Sequence, residues 1–172
     1  SGLSVKTVQE NTIYNLSNTR TDFAGHIYGI HFAGFTGANN GVFKNLIHSL
    51  EAPNNNATVA ANIYGIRQVP NGVGTIANNV VILQGNETAV MYGLYDNGTT
   101  GTTNFYHNTI YINGTAPAGD ALSCALWSNF GTANQNFQNN ILVNERTGGT
   151  GSHYAIRLTG TNTTNIDYNL YR

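Results

Sequence analysis

The stretch Phe105-Tyr-His-Asn-Thr-Ile110 decides the fold, because the asparagine at its centre recurs along the chain in the same local frame. An apolar residue stands three positions before each recurrence, and another usually stands two positions after it. Internal repeats with a period of about 20–50 residues indicate a solenoid, a propeller or another array. Successive recurrences are 34, 34, 29, 32 and 29 residues apart, and they are Asn11, Asn45, Asn79, Asn108, Asn140 and Asn169.

A second string, Tyr-Gly-Ile or a close variant of it, recurs between the asparagines. Each repeat therefore contains two or three short β-type segments, separated by stretches rich in Gly, Asn, Thr and Pro. No segment has apolar residues three and four apart over a helical length, so the sequence predicts an all-β chain. The copies lie at Ile27–His31, Ile63–Arg67, Met91–Tyr95, Ser123–Trp127 and His153–Arg157.

The length of the repeat separates the two all-β alternatives. A propeller blade with four antiparallel strands needs about 40 residues or more, whereas intervals of 29 to 34 residues fit one coil of a parallel β-helix. Coils stack about 4.8 Å apart, so an inward asparagine at one corner can bond to its equivalents above and below. We therefore expect residues 1–172 to form a single β-helix domain of about five coils with an internal asparagine ladder.

Composition excludes several classes of partner. The net charge is −1 and only 9% of the residues are charged, so no basic stripe is available for nucleic acid. No apolar stretch is long enough to insert into a membrane as a helix. Cys124 is the single cysteine, which excludes an internal disulfide. Because the repeat is already under way at Val8, we expect a piece of a longer secreted chain or a stacking subunit.

Strict alternation along the second string assigns its residues to two faces. It predicts that the column Tyr28, Tyr64, Tyr92, Cys124 and Tyr154 points inward together with Ile30 and its equivalents. The column of Gly29 and the column of Ile27 should then point outward, forming a trough with a floor of small residues. The trough is a candidate ligand site for an extended glycan or protein, and its candidate binding residues are His31, Arg67, Tyr95, Asp96, Trp127 and Arg157. Glycine in a strand can instead mark the close approach of a loop or subunit.

Several strings resemble a known family. Tyr-Gly-Ile followed by Asn-Asn-Val-Val or His-Asn-Thr-Ile-Tyr is similar to the right-handed parallel β-helix repeats of pectate-lyase-like proteins. Gln138–Arg146, His153–Arg157 and Asp167–Tyr171 resemble β-helix regions of surface proteins secreted by Bacteroidetes-type bacteria. The resemblance implies a right-handed β-helix at a bacterial cell surface. It leaves the activity open, since that group includes lyases, hydrolases, adhesins and phage spikes.

The strings that would imply catalysis in that family are missing. The sequence contains no Gly-His-Gly or Arg-X-Lys string, and its eight acidic residues are dispersed. The repeats place no two carboxylates in equivalent positions of adjacent coils, as a glycoside-cleaving pair requires. His26 and His31, five apart on one strand, should lie on opposite faces, and no motif for a metal ion is present. We therefore expect no catalytic residues, no metal and no cofactor.

These observations predict an extracellular structural or adhesive module. The chain enters and leaves the solenoid in the same segment of the repeat, at Val8–Asn11 and at Ile166–Asn169. This predicts stacking end to end with another copy in a filament, or with flanking coils of a parent chain. The alternative is a carbohydrate-binding or carbohydrate-active domain, of the lyase or glycoside hydrolase kind, that uses the outer trough.

Overall fold

The chain folds into stacked coils of parallel strands, so the all-β solenoid prediction is confirmed. The computed structural model describes residues 5–33, 40–53, 61–69, 71–129, 131–132, 134–160 and 164–172. These residues form nineteen strands and no helix. Accordingly, none of the described segments is a long apolar helix able to cross a membrane.

Five complete coils and the start of a sixth follow one another along the chain. Coil 1 contains β1 (Thr7–Gln9), β2 (Thr12–Ser17) and β3 (His26–Phe32); coil 2 contains β4 (Asn40–Phe43), β5 (Leu46–Glu51) and β6 (Asn62–Gln68); coil 3 contains β7 (Asn71–Ala77), β8 (Val80–Gln84) and β9 (Val90–Asp96); coil 4 contains β10 (Thr100–Tyr106), β11 (Thr109–Asn113), β12 (Thr115–Ala116) and β13 (Ser123–Asn129); coil 5 contains β14 (Asn134–Gln138), β15 (Ile141–Asn144), β16 (Thr147–Gly148) and β17 (His153–Thr159); and β18 (Thr164–Asp167) and β19 (Leu170–Tyr171) begin coil 6.

Equivalent strands of successive coils pair in parallel and build three long sheets around one core. The first sheet has the order β1-β4-β7-β10-β14-β18, the second β2-β5-β8-β11-β15-β19 and the third β3-β6-β9-β13-β17. A small fourth sheet joins β12 to β16. The third sheet therefore has five described strands where the first two have six.

The asparagine ladder occupies the corner between the first and second sheets, as the sequence predicts. Asn79 donates its backbone N–H and its Nδ2 to Oδ1 of Asn108, at 3.1 and 3.0 Å. The same pair of bonds links every ladder asparagine to its successor, from Asn11 to Asn169. From Asn45 onward, Nδ2 also reaches a backbone carbonyl of the preceding coil. The amides of the middle coils are buried, and these bonds satisfy them.

A left-handed residue makes the corner just before each ladder asparagine. The φ angles there lie between 51° and 58°, and the residues are Glu10, Lys44, Asn78, His107, Asn139 and Tyr168. A single residue with positive φ turns the backbone sharply enough to aim the next side chain into the core. The sequence identifies the asparagine but not this turn, because only Asn78, His107 and Asn139 are residue types enriched in the conformation, whereas Glu10, Lys44 and Tyr168 are not.

The third sheet departs from the predicted alternation at the column of Gly29. Gly29 and Gly65 are skipped in the pairing of β3 with β6, and Ala125 is skipped in the pairing of β13 with its neighbours. A Cβ built on Gly65 would lie 2.3 Å from Cγ1 of buried Val81, so this column points inward. Two successive inward residues, Gly29 and then Ile30, bend the strand at this point. The predicted outward position of the glycine column is therefore wrong.

The bend reverses the assignment of two other columns. Ile27, Ile63 and Met91 are buried in the main core, so their predicted outward position is also wrong. Tyr64, Tyr92 and Cys124 form a separate cluster with Trp127 and other outer side chains. The tyrosine column thus lies on the outer surface of the third sheet, not in the core. The Ile30 column points inward and the His31 column points outward, as predicted.

The residue at the bend is glycine wherever the facing residue of the second sheet is β-branched, and it is alanine where the facing residue is leucine. Gly29, Gly65 and Gly93 face the β-branched side chains Ile47, Val81 and Ile110, whose branches fill the space of a Cβ. In the next coil Ala125 occupies the bend, and the second-sheet residue at that level is Leu142, which branches one carbon further out.

We expect Gly65→Ala to destabilise the fold by roughly 1–3 kcal/mol through overpacking. The new methyl group would also lie 2.6 Å from the carbonyl oxygen of Gly93. Adding Val81→Leu should recover part of the loss, since Leu moves the branch away from the bend. Thermal unfolding of the two single variants and the double variant measures this coupling, and strictly additive losses would contradict it.

Candidate functional site

The outer surfaces of the three sheets differ in chemistry. The first sheet carries a polar column in which Nδ2 of Asn136 donates to Oδ1 of Asn104 at 2.7 Å, and Nδ2 of Asn104 donates to Thr75 at 3.4 Å. The second sheet carries aliphatic residues such as Leu46, Val80 and Ile141 beside threonines and the rings of Tyr14, His48 and Tyr111. The third sheet carries aromatic residues and arginines, and it contains five of the six predicted ligand-binding residues on one surface. We call this surface the aromatic face.

The inner row of the aromatic face is the tyrosine column. The rings of Tyr28, Tyr64 and Tyr92 stack with centroids 5.0 and 4.9 Å apart and nearly parallel planes. This spacing follows from the strand separation of about 4.8 Å, which is also a favourable distance between aromatic rings. Burial raises the pKa of Tyr64 to about 12 and raises that of Tyr92 as well. Their hydroxyls therefore stay protonated in the physiological range.

The outer row is the column of His31, Arg67, Tyr95, Trp127 and Arg157. Trp127 contacts Tyr92 and Tyr95, with ring centroids 5.2 and 5.6 Å away. The Arg157 guanidinium lies 4.3 Å from the centroid of Trp127, within the range of a cation–π interaction. The rings of the two rows contact one another from coil 1 to coil 4, within coils and between adjacent coils. Arg157 extends this surface to coil 5, because its guanidinium lies near the rings of both Trp127 and Tyr154.

One hydrogen bond on the aromatic face fixes the protonation of a histidine. Arg67 Nη1 lies 2.9 Å from His31 Nε2. Burial and the charge of Arg67 lower the pKa of His31. Because an arginine N–H can only donate, Nε2 accepts the bond and His31 is neutral at physiological pH. The fixed positive charges of this face are therefore Arg67 and Arg157.

The structure brings five of the six candidate residues together and separates the sixth. His31, Arg67, Tyr95, Trp127 and Arg157 form one outward column, as predicted. The trough floor is missing, because the glycine column lines the interior of the bend. Asp96 is only 1% exposed and points to the interior. His26 and His31 both contact Tyr28, so they lie on the same face and the expectation of opposite faces is wrong.

Asp96 belongs to a buried polar cluster at the corner between the third and first sheets. Its Oδ1 accepts the N–H of Gly98, and its Oδ2 accepts Ser128 Oγ, both at 3.2 Å. Gln135 Nε2 donates to Asp96 Oδ2 and to Ser128 Oγ. Oε1 of Gln135 is buried without a partner among the described residues. Burial raises the pKa of Asp96 to about 6, although these hydrogen bonds act in the opposite direction.

The raised pKa of Asp96 predicts how stability depends on pH. The folded protein holds this proton more tightly than the unfolded chain, where an aspartate has a pKa of about 3.9. The contribution of Asp96 is therefore fully present below about pH 4, and it is lost as pH rises through about 6. The loss should amount to roughly 2–3 kcal/mol at neutral pH, at about 1.4 kcal/mol per unit of pKa.

We expect Asp96→Asn to melt at a higher temperature than the wild type at about pH 7.5 and at a similar temperature near pH 4. The asparagine removes a buried charge, and a rotation of the Gln135 amide by 180° lets the new Nδ2 donate to Oε1 of Gln135, which has no partner in the wild type. Melting curves across this pH range test the prediction, with exposed Asp120→Asn as the control. A destabilised Asp96→Asn variant at neutral pH would contradict it.

The strands of the aromatic face carry no outward carboxylate. Asp96 is the single carboxylate in the strands of the third sheet, and it is directed inward. The geometry thus places no pair of carboxylates on this face. Among the described residues, no three His, Cys, Asp or Glu side chains gather in a group that could hold a metal ion. What the face offers is aromatic edges, hydroxyls and guanidinium N–H groups.

The prediction from strict alternation placed the tyrosine column in the core, so it missed these residues as part of the aromatic face. The signal that identifies it is the pairing of glycine with a β-branched residue in the second sheet, which shows that the glycine points inward and its neighbour outward.

No protein-family model matches the chain, and no curated protein or solved structure matches it significantly. The structure shows a parallel β-solenoid of about five coils, and the comparisons show no family for the chain.

Proposed function

We propose that this chain is a structural and adhesive module of an extracellular surface, and that its coil ends join a second copy head to tail. The observation that carries the proposal is the direction of the asparagine ladder. In each bond between ladder asparagines, the residue of one coil donates its N–H groups to Oδ1 of the asparagine in the next coil. The two ends of the ladder are therefore chemically different and complementary.

The terminal asparagines have the groups that such a contact would use. Among the described residues, no donor reaches Oδ1 of Asn11 and no acceptor receives the backbone N–H of Asn169. A second copy placed with its Asn11 above Asn169 would supply the missing partner to both. A contact between unlike ends repeats without closing, so it leads to a filament.

Apolar side chains at the two ends favour the same arrangement. Val8 and Ile166 belong to one inward column of the first sheet, whose middle members are fully buried. Ile166 is 45% exposed at the open end, and Tyr171, which pairs with buried Leu142, is 40% exposed there. The described strands β18 and β19 extend one strand beyond β17. The proposed contact therefore uses the first two sheets and the ladder, and it leaves one strand position open in the third sheet.

Light scattering over a concentration series tests the stacking. We expect the mean mass of the wild type to rise with concentration, and we expect Val8→Lys or Ile166→Lys to prevent the rise, because each places a charge in an apolar contact. Val73→Lys, on the outer surface of the first sheet, is the control. A wild-type protein that stays monomeric at its solubility limit would contradict the proposal.

Location at a bacterial cell surface is part of the proposal and is supported by the resemblance of the repeat strings.

Carbohydrate binding on the aromatic face is a second candidate function. The row of interlocked tyrosines, Trp127, Arg67 and Arg157, without an outward carboxylate, favours binding over cleavage. Calorimetric titration with cellobiose, maltose, xylobiose and oligogalacturonate provides the test. We expect Trp127→Ala to weaken binding by roughly 1–3 kcal/mol, by analogy with other stacking platforms, while Tyr106→Ala on the first sheet leaves it unchanged. No binding by the wild type would exclude these sugars.

A further inference from the structure

Three tyrosine rings of the aromatic face lie directly above one another. Tyr28, Tyr64 and Tyr92 occupy paired positions of β3, β6 and β9. The planes of neighbouring rings are inclined by only 22° and 21°, and their centroids are one strand spacing apart. Cys124 follows in the next coil, so the stack ends at Tyr92. The sheet therefore holds three phenol rings side by side.

The stack is shielded from solvent but contacts aromatic residues that are less shielded. Tyr64 and Tyr92 are each 8% exposed, whereas Tyr95 and Trp127 are half-buried. The Tyr95 ring lies 5.3 Å from that of Tyr64 and 5.0 Å from that of Tyr92. When an oxidant removes an electron from Tyr95, either shielded ring can replace it across a single ring contact. The two rings are thus open to one-electron oxidation without touching the oxidant.

We propose that Tyr64 and Tyr92 form a site of oxidative cross-linking, at which a one-electron oxidant joins the two rings as dityrosine. Each phenol gives one electron to the oxidant and its hydroxyl proton to water. The two phenoxyl radicals then form one carbon–carbon bond between the ring carbons next to their oxygens. The hydrogen on each of these carbons moves to the oxygen and restores the phenol. Two electrons and two protons leave in total.

The surroundings favour coupling of these two rings with each other. Their centroids are 4.9 Å apart, and their shielding keeps a second molecule away from the radicals. Tyr28, the other neighbour of Tyr64, lies in the first coil and is more exposed. The bond would tie coil 2 to coil 3. Because Cys124 is the only cysteine, a disulfide within the chain cannot supply such a tie.

Photochemical oxidation of the purified protein tests the proposal, with tris(bipyridine)ruthenium as the oxidant and persulfate as the final electron acceptor. Gel filtration under denaturing conditions then isolates the monomer, which removes any products that exposed Tyr14 or Tyr168 form between molecules. We expect dityrosine fluorescence in the monomer and a mass lower by two hydrogen atoms. Trypsin, which cleaves after Arg67, should release the peptide of Tyr64 linked to the peptide of Tyr92.

Two matched variants identify the pair. Tyr92→Phe should abolish the product in the monomer, because phenylalanine keeps the stacked ring but cannot form a phenoxyl radical. Tyr28→Phe should leave the product intact, since the contact between Tyr64 and Tyr92 remains. Both changes nearly conserve the side-chain volume, and a melting curve checks that each variant is folded. Tyr64→Phe replaces Tyr92→Phe if the latter does not fold.

The remaining outcomes overturn the proposal. It fails if the wild-type monomer contains no dityrosine, or if Tyr28→Phe abolishes the product. It also fails if Tyr92→Phe retains the product, which would identify Tyr28 or Tyr95 as the partner of Tyr64. A bond between Tyr92 and Cys124, the next residue of the column, would likewise contradict it.

Discussion

Asn79→Leu should destabilise the protein by about 4 kcal/mol. Asn79 is completely buried, and its Oδ1 accepts the backbone N–H of Asn45 at 3.0 Å. Its Nδ2 donates to the carbonyl of Val42 at 2.9 Å. Leucine has a similar volume but leaves both backbone groups without a partner, at roughly 1–3 kcal/mol each. Such a loss is a large share of the stability of a typical domain.

The matched control is Asn165→Leu, which makes the same change at an exposed position of β18. We expect it to change stability by less than about 0.5 kcal/mol. Chemical denaturation of both variants gives the comparison. Midpoints can be compared directly when the free energy of unfolding has the same dependence on denaturant concentration in both variants. Similar midpoints for the two variants would show that the ladder does not stabilise the solenoid.

Arg146→Met is the second change with a large expected effect. Arg146 is 2% exposed and reaches across two coils, where Nη1 donates to the Ala89 carbonyl at 2.7 Å and Nη2 to that of Glu87 at 2.5 Å. Burial lowers the pKa of Arg146 to about 10 and raises the pKa of the nearby Glu87 carboxyl. Removing the guanidinium leaves two carbonyls unpaired and Glu87 without a compensating charge.

We expect the loss to be about 3–5 kcal/mol, or roughly 10 °C in melting temperature for a chain of this size. Arg172→Met is the control, because the side chain of Arg172 is 77% exposed in its ion pair with Glu145. Its effect should be below about 1 kcal/mol. If Arg146→Met melted within a degree or two of the wild type, the guanidinium would have no structural role at this corner.

The sequence predicts those parts of the fold that every coil repeats. The ladder position and the inward Ile30 column are visible because stacking places the same residue type at the same place in each coil. The inward glycine bend was missed because it puts two core residues in succession, which strict alternation does not allow. Tyr28 and its equivalents were assigned to the wrong face for the same reason.

Features that occur once are beyond a repeat-based prediction. Asp96 points inward because it follows the outward Tyr95 and belongs to the buried column of Gln68 and Ser128, whereas its bonds to Ser128 and Gln135 are particular to this position. The contact between Arg146 and Glu87 joins residues 59 positions apart. The Arg146 contact crosses two coils, so a prediction based on the repeat does not reveal it. The contact of Asp96 with Gln135 has a counterpart one coil earlier, where Gln68 Nε2 donates to Thr103 Oγ1. The five outward candidate residues were found because they form a column, and Asp96 was included only because it follows Tyr95.

Engineered cysteines give the most direct test of the proposed head-to-tail module. Glu10 and Tyr168 are the first and last residues of the left-handed corner column, in which Lys44 Nζ lies 3.2 Å from Glu10 Oε1 of the adjacent coil. In the proposed stack Tyr168 of one copy lies about 4.8 Å from Glu10 of the next, a separation that a disulfide can span. Mild oxidation of the double variant Glu10→Cys, Tyr168→Cys should produce covalent trimers and longer chains on a non-reducing gel. Either single variant should stop at dimers, and native Cys124 is buried and should not contribute. If the double variant also stops at dimers, the copies do not stack head to tail.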